Sequence, residues 1–169
     1  MKSDLKQYVN EIQDYPKPGI VFRDISPLLR DHFPELIEEL ALLFKEDEWK
    51  EVEYLAGVEA RGFAIASALA MHLGKGFIPI RKKGKLPPEV ASIEYDLEYG
   101  QDALEMHYGG GNIILVDDVL ATGGTLEAAA KLCKTTGFTI KGLLCIIDLK
   151  YLNSFSWEGE SVRSLLSYT

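Results

Sequence analysis

The sequence predicts an α/β fold: an open, mainly parallel twisted sheet flanked by helices, with a projecting flexible hairpin. Three observations lead there. Between Tyr54 and Ile147, short apolar runs alternate with stretches of helical period, the pattern of a parallel sheet with right-handed crossovers. Loops of small residues join strands to helices in that region. Residues 81–112 break the rhythm with polar, glycine-bearing sequence that alternates over Ala91–Tyr95 and Ala103–His107, which suggests a hairpin standing off the core.

Residues 3–14 read as an amphipathic helix with Leu5, Tyr8, Val9 and Ile12 on one face. Tyr15-Pro16-Lys17-Pro18-Gly19 ends it, because proline cannot continue a helix. Ile20–Ile25 is a short apolar stretch closed by Ser26-Pro27. A second helix is predicted near Pro34–Lys45, with Leu36, Ile37, Leu40, Leu43 and Phe44 at helical spacing. Then come a strand at Tyr54–Val58, a helix at Gly62–Leu73 stopped by Gly74, and a strand at Gly76–Ile80. After the hairpin, a strand at Ile113–Val116 leads to a helix at Gly124–Thr136, stopped by Gly137, and a last strand at Thr139–Ile147. Residues 1–169 are expected to form a single domain, with residues 1–33 as N-terminal helix and hood.

The chain has 169 residues and a net charge of −8. That balance argues against non-specific nucleic-acid binding, which needs a broad basic face. Cys133 and Cys145 lack metal or redox spacing and read as free buried thiols. His32, His72 and His107 show no metal spacing either. With no apolar run of membrane-span or signal-peptide length, a cytoplasmic protein without membrane partners is expected.

The chemistry concentrates at Ile113–Leu126. An apolar strand runs into Asp117-Asp118, and Ala121-Thr122-Gly123-Gly124-Thr125 then opens a helix. Ligands of open parallel sheets bind beyond the carboxyl ends of the strands. A helix N-terminus with close backbone approach favours an anion, and threonine hydroxyls add donors. Adjacent carboxylates accept hydrogen bonds from a polyhydroxyl group. Each residue alone also fits an ordinary helix start; the combination points to a phosphosugar. There is no P-loop lysine and no dinucleotide glycine spacing.

This segment resembles the phosphoribosyl-pyrophosphate (PRPP) signature of type I phosphoribosyltransferases. The resemblance implies that Asp117 and Asp118 face the ribose hydroxyls and that Ala121, Thr122, Gly123, Gly124 and Thr125 hold the 5′-phosphate. Glu59-Ala60-Arg61, at a second strand-to-helix junction, resembles the family's pyrophosphate loop, and Arg61 offers a fork suited to phosphate oxygens.

Arg81-Lys82-Lys83-Gly84-Lys85 sets four cations in five residues. Such a run is ordinarily a solvated turn; here it also reads as a funnel for an anion on a mobile lid. With Tyr95-Asp96-Leu97-Glu98-Tyr99-Gly100 it resembles the flexible catalytic loop of adenine phosphoribosyltransferases, placed here at 81–112. The resemblance makes Glu98 the proton-handling acid and gives Lys85 and Tyr99 to pyrophosphate. Pro88–Glu94 and Tyr108–Gly111 depart from the family pattern. Phe22–Leu29 resembles the adenine-type hood, with Val21, Phe22 and Arg23 at the base.

The resemblance as a whole implies adenine plus PRPP giving AMP plus pyrophosphate, in purine salvage, by a homodimer with Mg²⁺. The ion would be held mainly by substrate and water, without a dedicated protein cage. Glu98, Arg61 and Lys85 are the implied catalytic groups. The alternatives are a phosphoribosyltransferase for hypoxanthine or xanthine, and a regulatory PRPP sensor.

Overall fold

The computed structural model describes residues 4–97 and 100–169. A 3₁₀ turn at Leu5–Tyr8 leads into β1 (Asn10–Gln13), which pairs antiparallel with β2 (Val21–Asp24). Three short helices follow: α1 (Ser26–Asp31), α2 (Phe33–Ala41) and α3 (Glu46–Lys50). Next come β3 (Tyr54–Val58), α4 (Arg61–Leu73) and β4 (Gly76–Lys82). The hairpin is β5 (Val90–Leu97) and β6 (Gly100–His107). The chain continues as β7 (Gly111–Leu120), α5 (Gly124–Thr135) and β8 (Phe138–Leu149). A small ladder of β9 (Ser156–Trp157) and β10 (Glu160–Ser161) precedes β11 (Arg163–Tyr168).

The main sheet has seven strands in the order β11-β8-β7-β3-β4-β6-β5. The first five are parallel neighbours; β6 and β5 join antiparallel. From β3 the chain crosses to β4 on one side through α4. From β7 it crosses to β8 on the other side through α5. Strand order therefore reverses between β3 and β7, and a crevice opens at that switch point.

Both faces of the sheet are covered, so its central strands are apolar throughout rather than alternating. Successive β7 residues go to opposite faces: Ile114 and Val116 pack with α2 and α4, Ile113 and Leu115 with α5. Ile65 and Leu69 of α4 are fully buried, each worth about 1.5–3 kcal/mol of apolar burial. Gly74 ends α4 in the left-handed conformation, at φ 65°. Among the described residues no helix is long and apolar enough to cross a membrane.

The N-terminal helix expected at 3–14 is not formed. Its apparent stripe splits: Leu5 and Val9 are buried, whereas Ile12 is exposed. Residues 10–13 instead pair with 21–24 across a turn in which Asp14 Oδ1 accepts the Gly19 N–H at 2.7 Å. That ladder is a long-range choice which local periodicity does not register. Ser26-Pro27 do not close the β2 stretch but open α1, where Pro27 suits the first turn and Asp24 Oδ1 accepts the Ser26 N–H. The hairpin is also less detached than expected. Ala91, Ala103, Leu104 and Met106 are buried with α5, and β6 pairs with the end of β4. Ser92, Glu94 and Asp96, which suggested projection, are exposed, whereas Glu105 is buried within the ladder.

Two contacts fix the frame. Gly57 of β3 lies under α4, where a Cβ would stand 2.6 Å from the Gly62 carbonyl oxygen and 2.7 Å from the Ala66 Cβ. Arg163 starts β11 and forms a bidentate pair with Glu48 of α3, at 3.0 and 2.6 Å, while also donating to the Leu43 carbonyl. The Arg163 guanidinium, helped by the Lys45 N–H, lowers the Glu48 carboxyl from 4.5 to about 2.

Gly57→Ala is expected to cost about 1–3 kcal/mol by overpacking, read as a lower urea midpoint; an unchanged midpoint would contradict the close strand–helix approach. Glu48 has a depressed folded pKa, so its contribution is present above 4.5 and is lost as pH falls towards about 2. Arg163→Met should raise Glu48 towards the ordinary carboxylate range by NMR titration, the Lys45 N–H still holding it somewhat low. Its destabilisation should be present at neutral pH and shrink in acid.

Candidate active site

A cavity of about 820 Å³ opens at the switch point. It is lined by parts of β2, the loops after β3, β7 and β8, and Lys82 at the end of β4. Size and position suit a phosphorylated small molecule.

The β7–α5 junction forms one wall. Gly123 is left-handed, at φ 95°, and a Cβ there would stand 3.0 Å from Phe155. Only glycine meets both conditions. No side chain caps the start of α5, so its first N–H groups keep their capacity for an anion. Ala121, Thr122, Gly123, Gly124 and Thr125 all line the cavity.

Asp117 and Asp118 line it too, but as part of the strand. Pairing of β7 with β8 runs on to Leu120. Both side chains are buried, and Asp117 Oδ1 accepts the Asp118 N–H at 2.8 Å. Burial first, then the neighbouring Asp118 charge, raises the Asp117 carboxyl well above the usual range. Asp118 Oδ2 lies 2.6 Å from Arg61 Nε, in an ion pair whose alignment leaves that oxygen without a hydrogen bond. The pair thus presents one compensated carboxylate and one acid with high affinity for positive charge.

The β3–α4 junction faces it. Arg61 is the first residue of α4, and its side chain is about half exposed, at 47%. Glu59 Oε2 accepts the Lys82 N–H at 2.6 Å, and Oε1 lies 3.5 Å from Arg81 Nη2. The Lys82 N–H is the main cause holding Glu59 below the ordinary range. Glu59 and Arg61 reach the cavity surface; Ala60 does not.

The basic run is largely compensated from within. Arg81 faces Glu59, Lys82 pairs with Asp102 and bonds the Tyr95 hydroxyl at 3.2 Å, and Lys83 lies 3.8 Å from Glu94. Lys85 makes no ion pair among the described residues, and its side chain is exposed and outside the cavity lining. Glu98 and Tyr99 lie outside the described residues.

Val21, Phe22 and Arg23 of β2 line the far end, opposite Leu149, Tyr151 and Leu152. Arg23 Nη1 bonds the Tyr151 hydroxyl at 3.1 Å, and its guanidinium stacks 4.0 Å from the Tyr168 ring centroid. Tyr151 and Leu152 were not anticipated, and Lys82 only as a member of the basic run. Extending the rule for strand carboxyl ends to β8 would have pointed to Tyr151 and Leu152, had that strand been traced to Leu149.

Among the described residues no cluster of three His, Cys, Asp or Glu side chains could cage a metal. The acid pair nonetheless supplies hard oxygen donors, which Mg²⁺ takes alongside substrate oxygens and water. Burial disfavours the Asp117 anion, which a neighbouring cation would stabilise.

Residues 29–150 match the family described as phosphoribosyl transferase domain. The adenine phosphoribosyltransferase of Hydrogenovibrio crunogenus is 55% identical, over 97% of this chain and 96% of that protein. The solved structure of adenine phosphoribosyltransferase from Thermoanaerobacter pseudethanolicus superposes with a TM-score of 0.90 at 40% identity, covering 99% of this chain and 100% of that one. The Saccharomyces cerevisiae adenine phosphoribosyltransferase, solved with adenine and an imino-altritol bisphosphate, gives 0.83 at 35% identity over 89% and 90%. The chain therefore belongs to the phosphoribosyltransferase family and, within it, to the adenine phosphoribosyltransferases.

Proposed function

We propose that the cavity binds PRPP and adenine and forms AMP and pyrophosphate, in purine salvage. The observation that carries this reading is the convergence of the acid pair, the α5 N-terminal loop and the β2 segment on one cavity. The 5′-phosphate lies on Ala121–Thr125, where N–H groups and the helix dipole meet its charge. Asp117 and Asp118 accept hydrogen bonds from the ribose hydroxyls. Adenine lies against Val21, Phe22 and Arg23, whose main-chain N–H and C=O groups match an edge carrying both donors and acceptors.

A ring nitrogen of adenine forms the bond to the anomeric carbon as the bond to pyrophosphate breaks, through an oxocarbenium-like state. The carboxylates favour positive charge on the sugar. The Glu59-Ala60-Arg61 loop, with Lys85 and Tyr99, brackets the pyrophosphate, Arg61 and Lys85 taking up its developing charge. Glu98 receives the proton that the base sheds. Mg²⁺, bordered by Asp117 and Asp118, would supply further positive charge to the pyrophosphate oxygens. In this reading the enzyme works as a homodimer in the cytoplasm. Family membership supports the first. The second is supported by two free, buried thiols, of which Cys133 is pushed up to about 12 by burial.

Turnover of adenine, hypoxanthine and guanine with PRPP tests the base. Adenine should lead by at least about tenfold in kcat/KM, and hypoxanthine turnover without adenine turnover would overturn the assignment. Asp118→Asn should lower kcat/KM for PRPP by about a hundredfold. Asp117→Asn should be similarly impaired yet more stable than the parent at neutral pH. The raised acid of the parent stabilises the fold only while protonated, so its cost begins above 3.8 and grows until pH passes the folded value. Urea midpoints of the two proteins should diverge as pH rises from 3.8; parallel curves would contradict the burial argument.

A further inference from the structure

The Glu105 side chain is buried, at 5% exposure, in the middle of the β4-β6-β5 ladder. On β6 it stands opposite Arg81 on one side and Ser92 on the other. A buried carboxylate at such a place costs stability unless its oxygens are satisfied. Here one oxygen, Oε1, accepts two successive backbone N–H groups, from Lys85 and Leu86, each at 2.8 Å. Those amides belong to the turn that leaves β4 through Gly84, at φ 83°. The ladder beside them is pinned by the Lys83 N–H on the Ala103 carbonyl, at 3.1 Å. Charged acceptors make stronger and more directional bonds to N–H groups than neutral ones do.

We propose that Glu105 is a positioning residue for the transfer reaction: by gripping the Lys85 and Leu86 amides it fixes the basic turn as a rigid bracket and sets where the Lys85 ammonium meets the pyrophosphate. This rests on the reading of Lys85 as a pyrophosphate ligand. Two observations support it. The other three cations of the run are taken by Glu59, Asp102 and Glu94, which leaves Lys85 as the charge to be aimed. The same run is tied to the facing loop, because the Lys82 N–H donates to Glu59 Oε2 at 2.6 Å. The Glu105 carboxyl is itself held below the ordinary range, first by the Leu86 N–H and also by those of Gly84 and Lys85. The basic turn is thus fastened to the sheet, and motion of the hairpin would have to occur beyond it.

The test uses full-length Glu105→Gln and Glu105→Leu, each with and without Lys85→Ala. Amide exchange at 84–86 reads the grip without reference to catalysis. Steady-state kinetics read its consequence. Exchange should quicken in both variants. Glu105→Leu should lose about tenfold in kcat/KM for PRPP, and Glu105→Gln, which keeps an acceptor, about threefold, with KM for adenine unchanged in both. In the Lys85→Ala background neither change should cost anything further. Faster exchange with unaltered PRPP kinetics would overturn the proposal, as would losses that add to those of Lys85→Ala. If Glu105→Leu does not fold, the Glu105→Gln cycle decides alone. Absence of adenine turnover by the parent protein would instead refute the functional reading, leaving the exchange result to stand by itself.

Discussion

Burying Asp117 beside Asp118 places two acids where neither is fully hydrated, and the Asp118 charge adds to the cost of ionising Asp117. Much of the architecture answers that cost. Arg61 reaches Asp118 from the opposite junction, and the amino end of α5 points its dipole into the same cavity. The two helices leave opposite faces of the sheet, so their N-termini can approach one point only where strand order reverses, between β3 and β7. Close packing of α4 over Gly57 sets the angle of one junction, and Gly123 against Phe155 sets the other. With no ligand, Arg61 pairs with Asp118, and burial keeps the Asp117 carboxyl well above its ordinary range. A ligand with hydroxyls and an accompanying cation meets a site already arranged for it.

The second organising feature is how an acidic chain of net charge −8 keeps a cationic run for an anionic substrate. Isolated surface ion pairs contribute little energy, but here they set direction. Glu59 ties Arg81 and the Lys82 amide to the β3–α4 loop, and Asp102 and Tyr95 hold Lys82 from the hairpin. The run therefore acts as a joint between loop and hairpin as much as a funnel. Its long-range field is smaller than four unpaired cations would give. Local placement of single charges matters more to this site than bulk attraction.

The central layers were legible in the sequence because burial on both faces leaves unbroken apolar runs, and because glycines stop the helices. Tyr54–Val58 is found where periodicity put it, and α4 and α5 end where Gly74 and Gly137 require. The acid pair and the small-residue loop were legible because each residue type is needed by the chemistry of a phosphosugar. What was not legible depends on partners distant in the chain. The β1–β2 ladder competes with a local helical spacing that two buried residues happened to satisfy. Strand β11 offers only a short apolar stretch, and its place beside β8 is fixed by Arg163 reaching Glu48, 115 positions away. Tyr151 and Leu152 reach the cavity because β8 runs further than its apolar core suggests.

The choice of base rests on a different kind of argument from the choice of phosphosugar. A pocket for a 6-oxopurine would naturally present a cation to the exocyclic oxygen. The β2 segment does contain a cation, Arg23, but one end of its guanidinium is engaged, while its buried Nε makes no hydrogen bond. The guanidinium donates to the Tyr151 hydroxyl, lies over the Tyr168 ring and sits 3.6 Å from Glu11. Turning it towards a base would break those contacts and leave Glu11 without its partner. What Val21, Phe22 and Arg23 can offer without such a cost is an aromatic wall and main-chain donors and acceptors in alternation. That combination suits an amino-purine edge better than an oxo-purine edge. In the proposed reading the Arg23 side chain holds β2 in place, and only its main chain is offered to the base.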